Sequence, residues 1–265
     1  MLSNKFTDEE LELISTAIIE EQLEATVARG IFGTINVAPH LQSYSYHEET
    51  AMGAAEVVAE NAEFPRDEVE KTKKTVLIEK IGKAFYISRE AMLAARATNY
   101  PLDTRAARSA ARKVVEKEEE TVWGVVSAGA GQSFTANPLW DAANAEVQGD
   151  VVDIRGMLRD YNYSFTHLIV DVDSYAELIK TDSYGNRPID QLPNGIQVVE
   201  TAWIPSAVKG GFALDASAVG IIIAEDLQTE GEYRLVNQAY HNQVFERFAS
   251  AVFAANAIVK LTLHS

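Results

Sequence analysis

Leu11, Ile14, Ile18 and Ala25 fall along one side of a helical wheel, and their spacing predicts a helix over 8–28. Thr7 followed by Glu10 forms a capping-box pattern at its start, with acidic residues in the first turn to suit the helix dipole. Gly30 and Gly33 bracket its end. Residues 34–50, TINVAPHLQSYSYHEET, read as extended chain broken at Pro39. Residues 51–72 are acidic and keep no period. Two β-favouring runs follow at 75–79 and 84–87, with Ile81, Gly82 and Lys83 between them as a turn. Residues 45–88 therefore read as a long two-stranded excursion. An isolated hairpin is marginal in water, so the protein's own body or a neighbouring subunit must support it.

Ser88 caps a short helix, REAMLAARA, and a longer one begins after TNYPLDT, with Asp103 or Thr104 as its cap. It is expected to run to about Val126, a rod of roughly 35 Å. Ala106, Ala110, Val114, Val122 and Val125 or Val126 make its apolar face. SAGAGQSFTANP ends it. The rest alternates: strand SFTHLIVDVD, helix SYAELIK, then strands GIQVVETAWI and AVGIIIAED joined by the loop PSAVKGGFALD. Two β-rich runs around a short Ala/Phe stretch close the chain. The fold class is α+β.

Composition bounds the function. The 265 residues are 47% hydrophobic and 23% charged, an ordinary balance for a folded soluble protein. Cysteine is absent, which excludes disulfides and thiolate metal sites. No apolar run approaches the roughly 20 residues of a membrane helix, and the polar N-terminus is unlike a secretory signal. The net charge is -16, and residues 1–70 carry 15 acidic side chains against Lys5, Arg29 and Arg66. That is the reverse of a basic nucleic-acid grip.

Candidate chemistry is thin. Glu116, Glu118, Glu119 and Glu120 cluster in ARKVVEKEEETVWGVV. On one helix they cannot converge on an ion, because position 118 lies nearly opposite 116. With Arg112, Lys113 and Lys117 in reach, they read as solvated faces and ion-pair partners. HEETA at 47–51 lacks the second histidine of a zinc-protease motif, and EKIGKAF lacks the residues of a phosphate loop. SAGAGQS follows a helix, whereas a dinucleotide loop precedes one, and VKGGFALD suits a tight turn. His167 reads as a hydrogen-bonded core or edge residue. No catalytic residue, cofactor or metal site is expected, and the chain does not read as an enzyme.

The order of parts is specific. VEKTKKTVLIEKIGKAFYISREAM, PLDTRAARSAARKVVEKEEETVWGV and GIQVVETAWIPSAVKGGFALDASAVGIIIAEDL, running into NQVFERFASAVFAANAIVKLTL, resemble the Hong Kong 97-type capsid fold. That fold is shared by major capsid proteins of tailed viruses and by encapsulin shells. The resemblance implies an N-terminal helix and arm at 1–44, an extended E-loop at 45–88, a P domain with the spine helix at 89–145, an A domain at 146–225, and P-domain return strands at 226–265. It implies a shell built from pentamers and hexamers of this chain, around viral DNA held without sequence-specific contacts. Scaffold, portal or decoration proteins are further partners it allows, with no membrane. The place would be the virion, after assembly in the host cytoplasm. Arg66, Asp67, Glu68, Lys73, Lys74, Lys80 and Lys83 are the expected interface residues. An encapsulin shell around a cargo enzyme is the first alternative. A soluble α/β enzyme with a site around THLIVDVDSY is the second.

Overall fold

The computed structural model describes residues 7–49, 57–58, 60, 63–64, 66, 71–98, 104–142, 144–181 and 186–265. Two helices open it, α1 (Asp8–Ala25) and α2 (Ala28–Ile31), followed by β1 (Gly33–Asn36) and β2 (Ser43–Glu49). Next come β3 (Lys71–Leu77), β4 (Glu79–Ser88), α3 (Arg89–Thr98) and the long α4 (Arg105–Gly129). Then follow β5 (Gln132–Thr135), α5 (Val147–Asp160), β6 (His167–Val170), α6 (Val172–Ile179) and β7 (Gln197–Glu200). The last strands are β8 (Gly210–Leu214), β9 (Val219–Arg234), β10 (Ala239–Val252) and β11 (Ile258–Thr262).

The strands form a sheet ordered β1-β9-β10-β4, a second ordered β5-β11-β8-β6-β7, and a separate β2-β3 pair. β9 starts in the first sheet at Val219 and β11 lies in the second, so sheet membership cuts across the expected A-domain and return-strand bounds.

Both halves of the Thr7–Glu10 capping box form. α1 buries Ile14 and Ile18 as expected, but Leu11 is exposed and Ala17 takes its place on the buried side. Glu10 also holds Arg96 of α3 at 2.6 Å, and Glu20 holds Arg108 of α4 at 2.8 Å. The helix predicted over 8–28 breaks at Thr26, whose hydroxyl turns back onto the carbonyl of Gln22 at 2.6 Å. Ser88 caps α3 as predicted, its Oγ accepting from the N–H of Ala91.

The long helix α4 is the spine of the molecule. Its first half packs Ala107, Ala110, Ala111, Val114 and Val115 against α1, Phe85 and Ile87 of β4, and Val244 of β10. Ala110, Val114, Val122 and Val126 are buried as expected, and Ala106 alone of the predicted face is exposed. Its second half carries Trp123, stacked on Phe212 at 6.1 Å and tilted against Phe32 at 5.5 Å. Phe212 belongs to the second sheet, so Trp123 sits where the cores of the two sheets meet. A further core joins α5 and α6 to the second sheet through Val151, Ile154, Leu158, Leu168, Leu178 and Leu261. The sequence pattern left α5 unassigned, although Val147, Val151, Ile154 and Leu158 follow helical spacing.

Two glycine segments read as turns are strands. Gly82 lies inside β4, opposite Phe245 of β10. A Cβ there would stand 2.9 Å from the Phe245 Cβ, so glycine serves close strand packing. β3 does not turn back onto β4: it pairs with β2, and the N–H of Ile78 extends that ladder to the carbonyl of Gln42 at 2.9 Å before the chain enters β4 in the first sheet. The two arms of the excursion are therefore β2 and β3, paired from Ser43–Leu77 to Glu49–Lys71. Gly210 and Gly211 begin β8, a wholly buried strand between β11 and β6. A Cβ on Gly211 would collide with the carbonyl oxygen of Ile169. The Ala/Phe stretch at 248–254 belongs largely to β10, which runs unbroken to Val252.

Candidate assembly interface

The β2-β3 arm roots on the outer face of the first sheet. Ile78, Ile222, Ala224, Ala249 and Ala251 are buried there under Tyr44, Tyr46 and Val76. Tyr46 donates its hydroxyl to the carbonyl of Val252 at 3.0 Å and meets Phe253 edge-on at 5.1 Å. Of the two supports expected, the protein's own body supplies the one at the root. Ser45 and Thr75 bond across the arm at 2.9 Å, and Lys74 pairs with Glu48 at 2.6 Å. A cleft of about 300 Å³ separates the arm from the end of α4, lined by Tyr46, Lys74, Val76, Val125 and Val252. Beyond the paired strands, Val57 and Phe64 are exposed.

The predicted interface residues fall into two groups. Arg66 is exposed and paired with Glu63 at 3.2 Å. Lys73 is exposed on β3 opposite His47, and Lys74 makes the pair just described. Lys80 and Lys83 lie instead on β4, an edge strand of the first sheet, with Lys80 over the Phe245 ring at 3.7 Å. Asp67 and Glu68 lie outside the described residues. Exposed pairs of this kind contribute roughly 0–1 kcal/mol each, so their value to an interface is orientation more than stability.

The glutamate cluster divides by face. Lys113–Glu116 at 2.5 Å and Lys117–Glu120 at 2.7 Å are the solvated ion pairs expected. Glu118 and Glu119 are not solvated: both have 0% exposure. They follow Val114 and Val115 by one turn and precede Val122 and Trp123 by one turn, inside the apolar stripe. That stripe was the available signal, masked by the glutamates on either side.

Glu119 works as a remote helix cap. Its Oε1 accepts from the N–H groups of Val27 and Ala28 at 2.6 and 2.8 Å, the orphan donors at the start of α2. Its Oε2 accepts from the Trp123 indole at 2.8 Å. Burial pushes its carboxyl above the usual range, and these donors oppose the shift.

Among the described residues, the cation that Glu118 meets is Arg29 of α2. The guanidinium contacts Glu118 at 2.7 Å, Asp226 of β9 at 2.7 Å and Glu246 of β10 at 2.8 Å. Burial disfavours the Arg29 charge, but the surrounding carboxyls more than offset that and hold it protonated. Burial, with the Glu118 charge beside it, pushes Glu246 up to about 9. Glu118 is raised by burial as well, against the pull of Arg29. Asp226 is lowered, because its bonds to Arg29, the Leu227 N–H and Gln22 outweigh its partial burial.

In the segment 166–175, considered as an enzymic site, the polar groups serve the fold. Asp171 caps α6 through the N–H of Ser174 at 2.8 Å and takes His264 Nε2 at 2.6 Å. Thr166 accepts from the Ala216 N–H and donates to the Leu214 carbonyl. His167 Nδ1 lies 2.9 Å from the Thr166 hydroxyl, at a strand start as expected. Among the described residues, no three acidic or histidine side chains are placed to hold a metal ion.

Comparison with known proteins places this architecture. A virus-like particle from Pyrococcus furiosus superposes with a TM-score of 0.74 at 15% identity, covering 95% of this chain and 98% of that one. A structure from Mycobacterium phage Bobi gives 0.68 at 17%, covering 88% and 89%. The capsid of the Cyanophage P-SCSP1u gives 0.65 at 11%, covering 87% and 86%. No curated protein matches the sequence. The fold is the Hong Kong 97-type capsid fold. The model of the family described as phage capsid protein matches residues 71–261, from the start of β3 to the last residues of β11, and the chain belongs to that family.

Proposed function

We propose that this chain is the major capsid protein of a tailed virus, and that its copies close into an icosahedral shell around a double-stranded DNA genome. The observation that carries this is family membership from 71 to 261, joined to an arm whose described outer residues Val57 and Phe64 are left to solvent. Exposed apolar side chains on an extension call for a partner surface, and in a symmetric assembly that surface is on another copy. The part of 45–88 that precedes β4 acts as the E-loop, with Arg66, Asp67, Glu68, Lys73 and Lys74 guiding the contact, while Lys80 and Lys83, on β4 of the first sheet, mark the receiving edge. The chain's net charge of -16 disfavours direct contact with DNA, so counterions must screen the genome from the shell wall. Assembly takes place in the host cytoplasm, with scaffold, portal or decoration proteins as partners.

A second reading is a non-viral shell of the encapsulin type. The 0.74 superposition on the Pyrococcus furiosus virus-like particle, covering 98% of that chain, favours it. Expressed alone, the protein is expected to form hollow particles visible by negative stain; small oligomers would refute both shell readings. Nuclease-protected DNA in particles from the native source supports the viral reading, and a packaged protein supports the other. Deleting about residues 52–68 should leave a folded subunit that no longer closes shells; intact particles would contradict the arm's role.

A further inference from the structure

Glu118 Oε2 and Glu246 Oε1 are buried and, among the described residues, receive no hydrogen from any donor when both groups are ionised. One guanidinium brings the two carboxyls together: Arg29 lies 2.7 Å from Glu118 Oε1 and 2.8 Å from Glu246 Oε2. Two buried carboxylates that close repel strongly in a medium of low dielectric constant. One proton on the pair removes the repulsion and supplies a donor where both groups otherwise only accept. We infer that Glu118 and Glu246 share a single proton, and that this proton, with Arg29, makes a pH-sensitive latch holding the N-terminal helices to the spine helix and the first sheet.

The charges around the pair are few. Arg29 of α2 is the cation in contact. Asp226 of β9 and Glu119 of α4 are the other nearby acids. Asp226 is two-thirds exposed and keeps its charge in water. Glu119 already has its hydrogen bonds from the Val27 and Ala28 N–H groups and the Trp123 indole. From α1 the neighbour is uncharged Gln22, which donates to Asp226 at 3.2 Å. From β4 the residue opposite Glu246 is Ile81. Arg29 therefore answers one of the two buried carboxyls, and the shared proton answers the other.

The latch joins separate parts of the chain. Arg29 sits on α2, Glu118 on the spine and Glu246 on β10. α2 leads directly into β1, which pairs with β9 from Gly33–Gly220 to Asn36–Ile223. When hydroxide removes the shared proton, water forms and a second negative charge remains in the core. The relief available is for α2 to swing out and let solvent reach the pair. The sign follows. The closed state binds a proton that the opened state, with ordinary carboxyls, gives up. Opening is suppressed below the ordinary carboxyl range and grows about tenfold per pH unit until the closed-state value of about 9 is passed.

The test is amide hydrogen exchange on the full-length protein, corrected for intrinsic exchange, between pH 6 and 8. Amides of α2 and β1 should lose protection by roughly 100-fold across that range. Amides of β8, in the second sheet, serve as the control and should not. Glu246→Gln keeps a hydrogen bond but cannot ionise, so its α2 slope should be flat. Should that variant fail to fold, Glu118→Gln makes the same test, since glutamine would donate to an ionised Glu246. A flat slope in the wild type, or an unchanged slope in either folded variant, overturns the latch.

Discussion

Replacing Glu119 with alanine tests whether a buried spine carboxylate anchors the N-terminal helices. The substitution strips the acceptor from three donors: the N–H groups of Val27 and Ala28 and the indole N–H of Trp123. Ala28 and Trp123 are wholly buried, so each orphaned donor costs about 1–3 kcal/mol; Val27 is half-buried, and water recovers part of its loss. Relief of carboxylate burial returns roughly 1–2 kcal/mol. The net expectation is a loss of about 3–4 kcal/mol, a large share of the roughly 5–15 kcal/mol that holds a domain folded. Glu119→Gln keeps one acceptor oxygen and should lose about half as much. Guanidinium unfolding of the subunit, followed by tryptophan fluorescence, measures both. A loss below about 1 kcal/mol for the alanine variant would refute the reasoning, because the three donors would then have found other partners.

Val114→Asp places an unpaired charge on the buried face of α4 and should cost about 3–5 kcal/mol, seen as loss of soluble particles. Gly211→Ala drives a methyl into the Ile169 carbonyl at the centre of the second sheet and should yield insoluble protein, whereas Gly156→Ala, with open space at its Cβ, should fold normally. His264 is raised, because its bond and charge interaction with Asp171 outweigh its partial burial. The stability it gives is complete below the ordinary histidine value and fades as pH rises through the raised one. An NMR titration should show the His264 midpoint falling in Asp171→Asn.

Local patterns carried much of this fold. The capping box at Thr7 and the helix after Ser88 were legible because capping and packing agree there, and the long spine because of its apolar stripe, although Thr104 makes no side-chain capping bond and Asp103 lies outside the described residues. Tertiary contacts overrode local chemistry elsewhere. Gly82 and Gly211 look like turn residues, yet each marks a place where another strand comes too near for a side chain. The same limit hid the anchor beneath the assembly surface. Glu118 and Glu119 match their exposed neighbours in composition, and only the positions of Val114, Val115, Val122 and Trp123 place them inward. Nothing local linked them to Arg29, whose partners Asp226 and Glu246 lie roughly two hundred residues away along the chain.

The way Tyr46 fastens the arm to Val252 and Phe253 has a consequence for association between copies. A limb already clamped at its base has surrendered much of its freedom before any encounter. The paired strands then add little to the entropic penalty of docking, and modest contacts suffice to join one copy to the next. Individually weak, reversible joints let a misplaced subunit leave before the ring closes around it. Loosening the clamp, as Tyr46→Ala would, should therefore slow nucleation far more than it weakens finished particles.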